Sequence, residues 1–122
     1  MFKLATKHTF LWPVTVRMPD PAKPGAVVAH TFTATFEAIT QAEAAVIDAR
    51  IRQDYPDDYE THSADYILDV THDWQDVVDA GGEPVPFSKD LLAQQLGLSW
   101  FRRGIVAAYS EAMNGQAARQ GN

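Results

Sequence analysis

Hydrophobic and polar residues alternate twice near the start of the chain. Phe10, Trp12, Val14, Val16 and Met18 interleave with Leu11, Pro13, Thr15 and Arg17, and Val28, His30, Phe32, Ala34, Phe36 and Ala38 interleave with Ala29, Thr31, Thr33, Thr35 and Glu37. A period of two marks a half-buried strand, and β-branched threonine suits its outer face. Segment 20–25, DPAKPG, reads as a loop, so the two strands are expected to form an antiparallel hairpin. Pro13 lacks a backbone N–H and argues for an edge position or a bulge. Phe2 and Leu4 are too brief a pattern to define a third strand.

The period then changes. Thr40-Gln41-Ala42-Glu43 matches a capping box, in which the Thr hydroxyl and the Glu carboxylate each satisfy an orphaned backbone N–H. A helix is expected over 41–53, with Val46, Ile47 and Ile51 lying on the inner face of the hairpin, and it ends before Pro56. The polar connector 54–62 holds Tyr55 and Tyr59, which should pin it down. Ser63 is a candidate cap for a further helix carrying Tyr66, Ile67, Val70 and Trp74 on one face.

Residues 74–92, WQDVVDAGGEPVPFSKDLL, hold the most constrained backbone in the chain. Gly81-Gly82 tolerates positive φ and predicts a reversal, while Pro84 and Pro86 keep 83–87 extended. Ser88 is the expected N-cap of a helix starting at about Lys89, with Asp90 complementing the helix dipole and Leu91, Leu92 and Leu96 on its apolar side. Gly97 should break that helix and Ser99 cap the next, whose stripe is Phe101, Ile105, Ala108, Tyr109 and Ala112. Gly104 inside this stripe lowers helix propensity by about 1 kcal/mol relative to Ala, so a close packing contact is its expected reason. The tail 114–122 is small and polar and should fray.

The fold class these elements predict is α+β: an N-terminal antiparallel β-hairpin (1–39) packed by a helix, followed by two or three further helices (40–122), all in one domain spanning 1–122. A chain of 122 residues with 46% hydrophobic content can bury about two-thirds of its unfolded surface in one core. No cysteine is present, which removes disulfides, thiolate metal sites and a cysteine nucleophile. No stretch approaches the roughly eighteen apolar residues of a membrane span, and the first dozen residues lack a signal-type apolar run. The expectation is a soluble, unsecreted protein.

Charge is concentrated in the middle. Residues 1–53 hold six Lys/Arg and four Asp/Glu, residues 54–90 hold one and eleven, and residues 91–122 hold three and one. Such a belt is more often a solvated surface than a site, although a basic protein partner would suit it. Nucleic-acid binding is disfavoured, because Arg102-Arg103 is the only adjacent basic pair.

Candidate chemistry is sparse. The histidines at 8, 30, 62 and 72 show no metalloprotease spacing, and Asp69 with His72 supplies only two ligands where three or four are needed, so no metal is expected. His30 falls on the apolar strand face, where a hydrogen-bonded core histidine is the commoner role. Asp57-Asp58 and Asp73 with Asp76 could be drawn as acid–base pairs, yet they are indistinguishable from the solvated belt. There is no Gly-x-Ser-x-Gly elbow, and Gly81-Gly82 lacks the Lys-Ser/Thr of a phosphate loop. Neither an enzyme nor a cofactor is expected. Trp74, Phe87, Trp100 and Phe101 serve either as core or as partner contacts, since Trp, Tyr and Arg dominate interface energetics. Phe101, Ile105, Ala108 and Ala112 can face the core while Trp100, Arg103 and Tyr109 sit elsewhere around the axis. These three are the candidate partner-binding residues.

The order of Trp74, Asp76-Val77, Gly82, Pro84-Val85-Pro86-Phe87-Ser88 and Leu91-Leu92, followed by Ala107-Ala108-Tyr109 and Glu111-Ala112, resembles the small tail assembly chaperones of long-tailed bacteriophages and prophages. The likeness covers the C-terminal half; the N-terminal half shares only the plan of strands followed by a helix. It implies a non-enzymatic protein in the cytoplasm of the bacterial host that binds the helical tape-measure protein and assists polymerisation of the tail-tube protein around it. A structural minor tail or tail-completion protein is the alternative. Homo-oligomerisation is left open by the sequence.

Overall fold

The two alternating segments pair along their whole length. Strand β1 (His8–Pro19) and strand β2 (Val27–Ala38) are antiparallel, with His8 opposite Ala38 and Pro19 opposite Val27. The computed structural model describes residues 1–4, 7–115 and 118. After the hairpin come α1 (Gln41–Asp54), α2 (Tyr59–His62), α3 (Tyr66–Val70), β3 (Thr71–Gln75), α4 (Lys89–Leu96) and α5 (Ser99–Met113). The architecture is α+β, with a three-stranded antiparallel sheet in the order β1-β2-β3. Most of the tail expected to fray, 114–122, lies outside the described residues.

Strand β3 was not expected. Trp74 stands opposite Ala34 on β2, so it belongs to a strand rather than to a helix face. The apolar spacing from Tyr66 to Trp74 suits a helix, but α3 ends at Val70 and the chain enters the sheet at buried Thr71. Satisfying the open edge of β2 outweighs local helical periodicity. A register shift between Thr35 and Phe36 leaves His72 as the extra residue of a bulge, and its Nε2 lies 2.7 Å from Glu37 Oε1.

The helix covering the sheet is also not the expected one. Only Ile51 of α1 is buried and Val46 is 70% exposed, so the 41–53 helix does not lie on the inner face of the hairpin. That place belongs to α5, which buries Phe101, Ile105, Ala108 and Tyr109. Its approach depends on Gly104, where a Cβ would fall 2.5 Å from the Thr15 carbonyl oxygen, so α5 covers the outer edge of β1 at a separation only glycine permits. Val14, Phe36, Ile67, Val70, Leu92 and Ile105 form the centre of one buried cluster. Each such side chain contributes about 1.5–3 kcal/mol by leaving water.

The capping expectations divide. Thr40 and Glu43 make the reciprocal box, each bond 3.1 Å long, and Ser88 caps α4 by accepting from the Leu91 N–H at 3.0 Å. Ser63 instead donates back to the Glu60 carbonyl at the end of α2, and Ser99 is the first residue of α5, behind Leu98. Tyr55 and Tyr59 do pin the connector: Tyr55 stacks on His62 at 3.5 Å, and Tyr59 donates to Asp48 at 2.5 Å beneath Arg52.

Candidate functional site

The connector from β3 to α4 folds back on itself beside the end of the sheet. Asp76 takes positive φ (66°) and ends the strand. Beyond it the Val85 N–H donates to Val77, and the Asp79 N–H to Glu83, both at 2.9 Å, as in a narrow hairpin. Gly82 closes the reversal at φ 82°, as the Gly-Gly pair predicts. The Asp79 carboxylate locks it by accepting from the N–H groups of Gly81 (2.9 Å) and Glu83 (3.0 Å). Trp74 fastens this flap to the sheet, because its indole N–H donates to the Val85 carbonyl at 2.8 Å.

Opposite the flap, α4 turns into α5. Arg102 donates to the Leu96 carbonyl at 3.0 Å, holding the corner and satisfying an otherwise orphaned helix-end acceptor. Between corner, flap and the turn end of the hairpin lies an open cleft of about 960 Å³. Its floor is aromatic: Phe32 stacks on Phe101 at 5.7 Å and meets Trp74 edge to face at 6.4 Å. Val16 and Met18 continue the floor along β1, and Trp100 stands at the side. Val78, 56% exposed, and Leu98, 41% exposed, form the two lips. Asp76 and Asp79 supply negative charge along the flap.

The three candidate partner-binding residues are not brought together. Trp100 is half-buried and separates this cleft from a smaller recess, about 130 Å³, between α5 and β1. Arg103 is exposed beside that recess with Arg17 and buried Glu111. Tyr109 is not available at the surface. It is 6% exposed, packs edge to face on Phe36 at 5.1 Å and donates its hydroxyl to the Glu37 carbonyl at 2.7 Å. Burial pushes its hydroxyl up to about 12. The helical stripe contains position 109 with 101, 105 and 108, and that spacing decides its direction.

Of the candidate acid–base and metal residues, Asp58, Asp69, His72 and Asp73 are engaged with separate partners. Asp69 forms a bidentate pair with Arg50 (3.1 and 2.7 Å) while His72 bonds Glu37, so the two share no site. The His72 hydrogen bond holds the Glu37 carboxyl below its usual value, with Lys7 adding a weaker contribution. Asp73 accepts from the Trp74 N–H, and Asp58 from Thr61. His30 is exposed and lines the cleft, so it is not a core histidine. Among the described residues, no group of three or more His, Asp or Glu side chains is placed to hold a metal ion, and no helix is long and apolar enough to cross a membrane.

Sequence reasoning missed the cleft because its parts are distant in the chain. Phe32, Val78 and Leu98 meet only when β3 joins the sheet and α5 crosses β1. One local signal was present: Val77-Val78 precedes a glycine turn that gives an apolar pair little to bury against. No protein-family model matches the chain, and no curated protein or solved structure matches it either.

Proposed function

We propose that the protein is a non-enzymatic phage tail assembly chaperone that uses the cleft to hold an amphipathic helix of a tape-measure protein before the tail-tube protein assembles around it. The observation that carries this reading is the open apolar cleft with an aromatic floor, exposed Val78 and Leu98 lips and the half-buried Trp100 wall. Aromatic anchors in a concave apolar site are the usual source of interface energy, and a helix presents apolar side chains at the i, i+4 spacing such a groove accepts. Asp76 and Asp79 favour a helix with Lys or Arg beside its apolar face. The phage assignment itself rests on the resemblance of the C-terminal half, from Trp74 through Leu91-Leu92 to Ala107-Ala108-Tyr109 and Glu111-Ala112.

The test is capture of a co-expressed tape-measure fragment by the full chain. Trp100→Ala with Leu98→Ala should weaken capture by about a hundredfold, the scale of a pair of interface hot spots, while far-ultraviolet circular dichroism stays unchanged. Undiminished capture by the folded double variant would remove the cleft from the reading. Recovery of the protein in purified particles by mass spectrometry would favour a minor tail component over a chaperone.

A further inference from the structure

One face of α1 is turned towards the protein without packing on it. Gln41, Ala44, Asp48 and Ile51 recur at the three- and four-residue spacing of a single helical face, yet only Ile51 is buried. The face lines an open cavity of about 490 Å³ instead. Its other wall carries Tyr66 of α3 and Tyr109 of α5, with ring centroids 6.1 Å apart, and Tyr59 of α2 joins the lining. That volume lies within the range of preformed small-molecule sites.

The lining narrows the chemistry of the occupant. Among the described residues, no Lys, Arg or His lines the cavity, and Asp48, which does, is already paired with Arg52 at 2.8 Å and accepts from Tyr59 at 2.5 Å. A charged ligand would give up hydration without finding a free countercharge. Uncharged hydrogen bonding is on offer. The Tyr66 hydroxyl makes no hydrogen bond among the described residues, and burial holds it above its ordinary value. The Gln41 and Asn114 amides supply both donors and acceptors, and Asp48 keeps lone pairs to spare, since a carboxylate offers about four. The tyrosine rings and Ile39 add apolar surface. A ligand suited to this lining carries several hydroxyls around an apolar ring face.

We propose that the cavity between α1 and the Tyr66–Tyr109 wall binds an uncharged sugar, whose hydroxyls bond to Tyr66, Asp48, Gln41 and Asn114 while the apolar face of its ring lies on tyrosine. The bound sugar bridges α1 to α3 and α5, so occupancy is legible in the exchange of α1 amides. The cavity and the Trp100–Val78 cleft share no lining residue, so this site and the tape-measure reading fail independently.

The test is nuclear magnetic resonance titration of the full chain with glucose, N-acetylglucosamine and maltose, with glucose 6-phosphate as the charged counterpart. At least one of the three uncharged sugars should bind saturably and slow the exchange of α1 amides, and glucose 6-phosphate should bind no more tightly than the best of them. Tyr66→Phe removes a hydroxyl that has no protein partner in the free chain, so the melting temperature should stay unchanged while affinity falls about tenfold, the loss of one hydrogen bond. Ala44→Leu fills the cavity from an exposed helical position that tolerates leucine, and should abolish binding with circular dichroism unchanged. The proposal is overturned if none of the three sugars binds, if glucose 6-phosphate binds more tightly than all of them, or if either folded variant binds like the parent.

Discussion

Helices α5 and α1 are nearly equal in length, yet they are held by different physics. α5 buries Phe101, Ile105, Ala108 and Tyr109 against the sheet and approaches β1 at Gly104. α1 buries only Ile51 and is tied down by polar contacts, Arg50 to Asp69 and Tyr59 to Asp48, while Arg52 to Asp48 at 2.8 Å is a pair within the helix itself. The partners in these contacts are largely solvated, and such pairs contribute little each. α1 owes its form to local rules, a reciprocal cap and alanine-rich composition, whereas α5 owes its position to burial. A well-capped helix is therefore no guide to which helix covers the sheet.

The largest expected effect falls in the α5 half. Phe36→Ala removes a fully buried ring between the sheet and Tyr109 and should destabilise the protein by about 3–5 kcal/mol in chemical denaturation. A loss similar to that of a surface change would erase the contrast between the two halves. Next comes Gly104→Ala. On helix propensity alone it would stabilise α5 by about 1 kcal/mol, but the clash with the Thr15 carbonyl should reverse the sign to a net loss of about 1–3 kcal/mol. A gain in melting temperature would show that α5 stands farther from β1.

Tyr109→Phe keeps the ring and deletes the bond to Glu37, so a loss of about 1 kcal/mol is expected near neutral pH. Its pH dependence sharpens the point. The folded hydroxyl titrates at about 12 against an ordinary 10.0, so its contribution is complete below 10.0 and falls as pH rises toward 12. Denaturation curves at neutral pH and between pH 10.0 and about 12 should show that component of alkaline destabilisation in the parent and not in the phenylalanine variant. An identical alkaline loss in both would place the titrating group elsewhere.

The smallest effect belongs to α1. Arg50→Gln breaks the bidentate pair with Asp69, but the partly exposed site limits the loss to about 0.5–1 kcal/mol, shrinking further in high salt. Acid should loosen the same flank. The Tyr59 hydrogen bond, followed by that of Arg52, holds the Asp48 carboxyl below its usual value, so its contribution persists above the ordinary carboxylate range and is lost as pH falls through the lowered one. Hydrogen exchange should show α1 amides opening before those of α5; the reverse order would make α1 part of the main core.

What the sequence determined by itself is what neighbours in the chain decide. The hairpin follows from strict alternation, the α1 start from a four-residue cap, the 76–88 flap from Gly82 and two prolines, and the α4 start from Ser88. Each rests on φ preferences or on hydrogen bonds within a few residues. The inward direction of Phe101, Ile105 and Ala108 was legible for the same reason, and so was the need for close contact at Gly104, although not its partner Thr15. Tertiary structure alone decided that α5 and not α1 covers the sheet and that 71–75 leaves its helical period to pair with β2. It also assembled the cleft, whose Phe32, Val78 and Leu98 lie far apart in sequence. These outcomes come from competition among elements for one apolar face and one open strand edge. Local periodicity can show that a surface needs cover, but the total burial achieved by the folded chain selects what covers it.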